Sequence, residues 1–127
     1  SNNNLDMFEE MRLAGLLHKG VSGDAAAVPA TVAFRMATLD GARSLWRDDV
    51  GALRPGMKAD VIAVNVDRPH FQPEADPVSH IVYSASAGDV TDVWVDGRRL
   101  VRNGICLTLD EEKICFEANA ALRRLKG

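Results

Sequence analysis

The sequence predicts an α/β unit: one small sheet in the middle of the chain, with helices before and after it. Three observations carry this. Val61-Ile62-Ala63-Val64 is apolar at every position, so it reads as a strand, running on to Val66, that is covered on both faces. Val90 to Val95 meets Arg98 to Val101 across Asp96-Gly97, a two-residue connection of the type that strand twist favours. Leu5 to Lys19 and the stretch after Asp110 carry their apolar residues at helical spacing.

Taken in order, Ser1 to Asn4 supply side-chain acceptors for the first turn of a helix over Leu5 to Lys19, and Asp6, Glu9 and Glu10 suit its positive end. Leu5, Met7, Phe8, Met11, Leu13, Leu16 and Leu17 cover too much of its circumference for a surface helix, so it packs on more than one side. Gly20 is its expected stop. Pro29 suits the first turn of a second helix through Val32, Ala33 and Met36. Thr38 or Asp40 caps a third, through Leu45 and Trp46, which Asp48-Asp49 ends. Arg54-Pro55-Gly56-Met57 is a type II turn into the first strand.

Beyond Val66, Pro69 and Pro73 forbid regular structure, and Asp76-Pro77 then opens a short helix through His80, Ile81 and Tyr83. Ser84 to Asp89 is a small-residue loop before the hairpin. Asn103-Gly104 turns the chain into Ile105-Cys106-Leu107. Thr108 or Asp110 caps a last helix with Ile114, Ala118, Ala121, Leu122 and Leu125 on one face.

Composition narrows the class. With 127 residues, 46% of them hydrophobic, the chain counts as about one domain. A net charge of −3 gives no electrostatic reason to expect nucleic acid or an anionic membrane as partner. No apolar run approaches the ~20 residues of a membrane span. Cys106 and Cys115 read as buried free thiols, in keeping with a reducing cytoplasm.

The search for chemistry is largely negative. His18, His70 and His80 stand in no metal-type spacing. Ser79-His80 and Ser84 lack an evident acid partner for nucleophilic catalysis. Asp76, Asp89, Asp92 and Asp96 are each explained by a cap or a turn, and Trp46 and Trp94 by packing. Neither a catalytic nor a metal-ligating residue is assigned.

The order of the segments is nonetheless specific. SNNNLDMFEEMRLAGLLHK, PATVAFRMATLDGARSL, GALRPGMKADVIAVNVDRPHFQP, DPVSHIVYSASAGDVTDVWVDGRRLVRNG and LTLDEEKI together resemble the carboxy-terminal part of a metal-dependent amidohydrolase. The G-x-L-x-P-G-x-x-A-D element speaks for the superfamily. The SNNNLDMFEEMRLA opening and DPVSHIVYSA favour the methylthioadenosine/S-adenosylhomocysteine deaminases within the chlorohydrolase and guanine and cytosine deaminase group.

The resemblance implies a (β/α)₈ TIM barrel that holds the metal and a small β-sandwich beside it. Residues 1–49 would be terminal barrel helices. Residues 50–108 would be the C-terminal share of the sandwich, with a helix inserted near 76–83, and 109–127 a closing helix. It also implies that the metal-binding histidines and aspartate lie before Ser1. The divalent metal of the intact enzyme (zinc, or else iron or manganese) would then not be bound by this segment, which would be inactive alone. Ser1 is the one position it places near substrate, with capping of the first helix as the equal alternative.

The implied activity is hydrolytic deamination of a purine-type substrate. The alternatives are an amidohydrolase acting on a cyclic amide or triazine, and an autonomous non-catalytic interaction module. The implied partners are the N-terminal barrel segment, a small-molecule substrate and a homo-oligomeric copy.

Overall fold

The computed structural model describes residues 4–126. Helix α1 (Met7–Ser22) begins at Asp6, whose carboxylate accepts the Phe8 N–H, so the cap lies two residues beyond the expected stretch of asparagines. It ends at Gly23 rather than Gly20. Gly23 sits at φ 68°, the left-handed conformation a glycine enters without steric cost, and its N–H donates to the Lys19 carbonyl. Only Phe8, Met11 and Gly15 of α1 are buried, so most of its apolar circumference remains open.

Helices α2 (Ala30–Ala37) and α3 (Leu39–Ser44) follow, with Pro29 at the position before α2. Thr38 lies between them, but its hydroxyl donates to the Phe34 carbonyl instead of capping α3. α3 stops at Ser44, short of Asp48-Asp49. Trp46, expected to pack, is 95% exposed in a left-handed backbone conformation that turns it away from the core. The Arg54–Met57 turn is as expected, with Gly56 at φ 88° and Met57 N–H donating to Arg54.

Strands β1 (Val61–Val64), β2 (Val90–Val95), β3 (Arg98–Arg102) and β4 (Ile105–Cys106) form one antiparallel sheet in the order β1-β2-β3-β4. Val61 lies opposite Trp94, Val93 opposite Val101, and Val101 opposite Cys106. Asp96-Gly97 and Asn103-Gly104 both turn with positive φ at both residues, which matches the twist of the strands they join. β1 ends at Val64, short of Val66, with a register shift between Ala63 and Val64; Asn65 N–H still donates to the Asp89 carbonyl. It is an edge strand, and Ile62 is 49% exposed, so the described residues do not cover both of its faces.

The core lies among α1, α2 and helix α4 (Pro77–Tyr83), at the end of the sheet where β1 and β2 meet. Phe8, Met11, Ala30, Ala33, Phe71, Val82 and Ala85 are its buried members, with Val82 wholly enclosed. Phe71 enters it from a 3₁₀ turn, Pro69–Phe71, in a stretch expected to be irregular. Pro69 at the first position presets the φ that such a turn needs. α4 opens as the sequence suggests, with Asp76 accepting the Ser79 N–H and Pro77 at the first turn.

Asp110 caps the last helix, α5 (Glu111–Lys126), by accepting the Lys113 N–H. No residue of α5 is buried. The two cysteines are not buried thiols either: Cys106 is partly exposed and Cys115, on α5, is exposed. Each sits on an element that the described core does not cover.

Candidate functional site

The polar centre of the molecule is the seam between the start of α1 and the loop after α4. Asp6 divides its carboxylate between two backbone donors. Oδ1 accepts the Phe8 N–H and Oδ2 the Ala87 N–H, each at 2.9 Å. One turn further on, Arg12 Nη2 donates to the Ala85 carbonyl at 2.6 Å. α1 thus grips the loop by an acceptor and a donor that face the same three residues.

The loop itself is fixed from within. Ala87–Asp89 forms a 3₁₀ turn with a reciprocal cap, in which Asp89 Oδ2 accepts both the N–H and the hydroxyl of Ser86 at 3.0 Å. His70 Nε2 approaches the same oxygen at 3.1 Å, and because an ionised carboxylate only accepts, Nε2 carries the proton. The Asp89 side chain is 7% exposed. Burial works against its ionisation, yet the Ser86 N–H, the Ser86 hydroxyl and then His70 together hold its carboxyl below the ordinary range.

Ser86, Asp89 and His70 do not form a nucleophilic relay. The serine hydroxyl donates to the acid, whereas activation needs it to face the imidazole. Ser79 is similarly committed, donating to Asp76 at 2.7 Å. These groups position backbone.

A second ionic centre lies on the sheet. Asp92 lies in β2, the strand expected over Val90 to Val95, but it is buried in an ion pair rather than explained by a cap or a turn. Its Oδ1 accepts from Arg99 Nε at 3.0 Å, from Arg99 Nη2 and from the Asn103 N–H at 3.3 Å. The Arg99 hydrogen bond is the chief reason its carboxyl is held below the usual range. Arg99 also stacks over the Trp94 ring at 5.2 Å, so Trp94 packs as expected, against a cation. A similar pair, Lys19 over Tyr83, ties the far end of α1 to α4.

Two clefts flank these centres. One of about 720 Å³ lies between α2–α3 and the 51–54 loop and is edged by Arg35, Arg43 and Arg54. The other, about 360 Å³ and mainly apolar, lies between Phe71, Pro77 and Ile81, with Glu74 and His80 at its rim.

Ser1, the one suggested substrate contact, lies outside the described residues. His18 is exposed on α1, and His80 stacks on Phe71 at a centroid distance of 5.9 Å. Among the described residues no three His, Cys, Asp or Glu side chains converge as a metal site would require. This donor set does not fit a catalytic divalent metal. Sequence reading missed the roles of Asp6 beyond capping, of Arg12, and of His70 with Asp89. Each partnership spans 19 to 81 positions and carries no local spacing signal.

The geometry can be set beside known proteins. The Amidohydrolase family model matches residues 1–100. The chain belongs to the amidohydrolase family. A 5-methylthioadenosine/S-adenosylhomocysteine deaminase of Pelotomaculum thermopropionicum is 51% identical over 98% of this chain, and one of Bacillus thuringiensis is 48% identical over 99%. The chain spans 29% of the length of either relative.

Among solved amidohydrolase structures, an adenosine deaminase from Xanthomonas campestris with bound zinc superposes with a TM-score of 0.94. It is 35% identical, and the match covers 99% of this chain and 29% of that one. The zinc complex of an atrazine chlorohydrolase from Arthrobacter aurescens superposes at 0.81 with 28% identity, over 89% of this chain and 25% of that one.

Proposed function

We propose that these residues are the C-terminal part of a hydrolytic deaminase whose substrate is 5-methylthioadenosine, S-adenosylhomocysteine or a related purine nucleoside. The observation that carries the reading is the 48–51% identity, sustained over 98–99% of the chain, to deaminases of that name. In this reading residues 1–49 end the barrel, 50–108 supply part of a β-sandwich and 109–127 close the structure, in a cytoplasmic enzyme.

Among the described residues no three potential ligands converge, so this reading places no metal ligand on them. A divalent metal, if this enzyme uses one as the two zinc-bound neighbours do, is held elsewhere in the parent enzyme. What this segment contributes is alignment. Asp6 and Arg12 fix the first two turns of α1 to the 85–87 loop, and Asp89 with His70 fixes that loop to the Pro69–Phe71 turn. Position errors at the start of α1 are thereby restrained, and small misplacements in a barrel site are costly in rate.

The test is ammonia release by the purified full-length enzyme from 5-methylthioadenosine, S-adenosylhomocysteine and adenosine. At least one should be deaminated. An enzyme that releases ammonia from none of them, but opens a cyclic amide or dechlorinates a triazine, overturns the reading in favour of the hydrolase branch that the chlorohydrolase neighbour represents.

A further inference from the structure

The division proposed near residue 50 separates α1, α2 and α3 from α4 and the sheet in sequence, but the packing does not follow it. Phe8, Met11 and Ala33 come from one side of the division, Phe71, Val82 and Ala85 from the other, and all six belong to one buried cluster. Ala33 is 1% exposed and Val82 and Ala85 are 0% exposed, so the members enclosed most fully lie on both sides. Their burial is complete within this chain and owes nothing to the rest of the parent enzyme.

Close approach and hydrogen bonding reinforce the shared core. α4 packs directly against both α1 and α2. Gly15 keeps the first of these contacts close, since a Cβ there would lie 3.3 Å from the Tyr83 hydroxyl oxygen. Asp6 and Arg12 then reach the Ala87 N–H at 2.9 Å and the Ala85 carbonyl at 2.6 Å. The sheet joins through Val64 and Val90, which pack on the cluster, and through the Asn65 N–H, donated to the Asp89 carbonyl at 2.8 Å.

The junction itself is not built as a hinge. A hinge needs residues whose φ and ψ can change without displacing packed neighbours. Gly51 has a glycine's freedom, at φ 89°, but it is pressed onto α3. A Cβ there would lie 3.0 Å from the Ala42 Cβ, the Leu39 Cα and the Thr38 carbonyl oxygen. Beyond it the Lys58 N–H donates back to the Asp49 carbonyl at 2.8 Å and closes the loop between them.

We infer that α1, α2, α4 and the β1–β2 end of the sheet form one cooperative unit of the parent enzyme, which opens as a whole and has no hinge near residue 50. The sheet is then a rigid brace for the start of α1 rather than a lobe that swings to admit substrate. The inference rests on the packing of the described residues and not on the deaminase reading, so either can fail alone.

The experiment is hydrogen exchange of the full-length enzyme at rising denaturant concentration, read peptide by peptide by mass spectrometry. The α1 peptide over residues 8–15 and the α4 peptide over residues 78–85 should lose protection over the same concentration range and with the same slope. Val82→Ala, which empties space in the shared core, should speed exchange in both peptides about tenfold or more. If that variant does not fold, the wild-type profile decides alone. Peptides that open at different denaturant concentrations, or a Val82→Ala effect confined to the α4 peptide, would show two separate units and overturn the inference.

Discussion

The Asp6 carboxylate and the Ala87 N–H, 81 positions apart, meet at 2.9 Å. This contact joins the first turn of α1 to the loop that leads into β2, and the same carboxylate caps the helix. One side chain therefore holds an entry point and an exit point of the core together. Asp6→Ala should cost about 1–3 kcal/mol of stability, the sum of a lost cap and a stranded donor. Chemical denaturation of the full-length enzyme checks this, and Asp6→Asn should recover part of the loss because the amide oxygen still accepts.

The Asp92–Arg99 pair makes a sharper distinction. Asp92→Ala leaves Arg99 and the Asn103 N–H without their acceptor beside the sheet, and should cost about 2 kcal/mol or more. Arg99 is one-third exposed, so its charge can turn to water and the loss should stay below that of a fully buried broken pair. If Asp92→Ala shifts the denaturation midpoint no further than Arg98→Ala on the exposed rim, the pair contributes nothing to the sheet.

Asp89 sets an acid limit. Its carboxyl is ionised in the folded chain at a pH where the unfolded chain has begun to take up a proton, because its folded pKa is depressed. The stability it supplies is full above the ordinary carboxylate range of about 4 and is lost as pH falls through the lower folded value. Stability measured from pH 7 to pH 3 should therefore fall more steeply for wild type than for Asp89→Asn, whose amide does not titrate. Parallel curves would show that the network around Ser86 and His70 does not favour the charged form.

Gly41 is constrained by space. A Cβ placed on it would lie 2.7 Å from the Met36 carbonyl oxygen, closer than side-chain carbons approach backbone. Gly41→Ala should thus destabilise by about 1–3 kcal/mol despite alanine's better helix propensity. Gly20→Ala, with nothing within 4 Å of the added carbon, should be neutral or stabilising. The pair of melting temperatures decides the point, and equal shifts would show that α3 can move away from α2.

Much of the fold was legible in the residues themselves, where local chemistry decides the outcome. Asp76-Pro77 had to start a helix, and Asp96-Gly97 had to turn a hairpin, because cap geometry and positive φ are properties of a few adjacent residues. The ordered motifs around SNNNLDM and GALRPGMKAD also pointed to the amidohydrolase family, to which the chain belongs. Local reading failed at the end of α1, where Gly20 was the expected stop and the helix runs on to cap at Gly23.

Tertiary structure decided everything that depends on distant partners. Phe71 joins the core from a proline-bounded turn because α4 and the sheet leave a space its ring fills. Asp92 is buried in its strand with Arg99 as its charge partner across the hairpin, and His70 found Asp89 only when the chain closed between them. Caps, turns and periodicity are short-range steric and hydrogen-bonding preferences, so the amino-acid sequence states them directly. Burial and ion pairing depend on which surfaces the folded chain brings together, and here the long-range contacts of Asp6, Arg12 and of Asp89 with His70 existed only once it had done so.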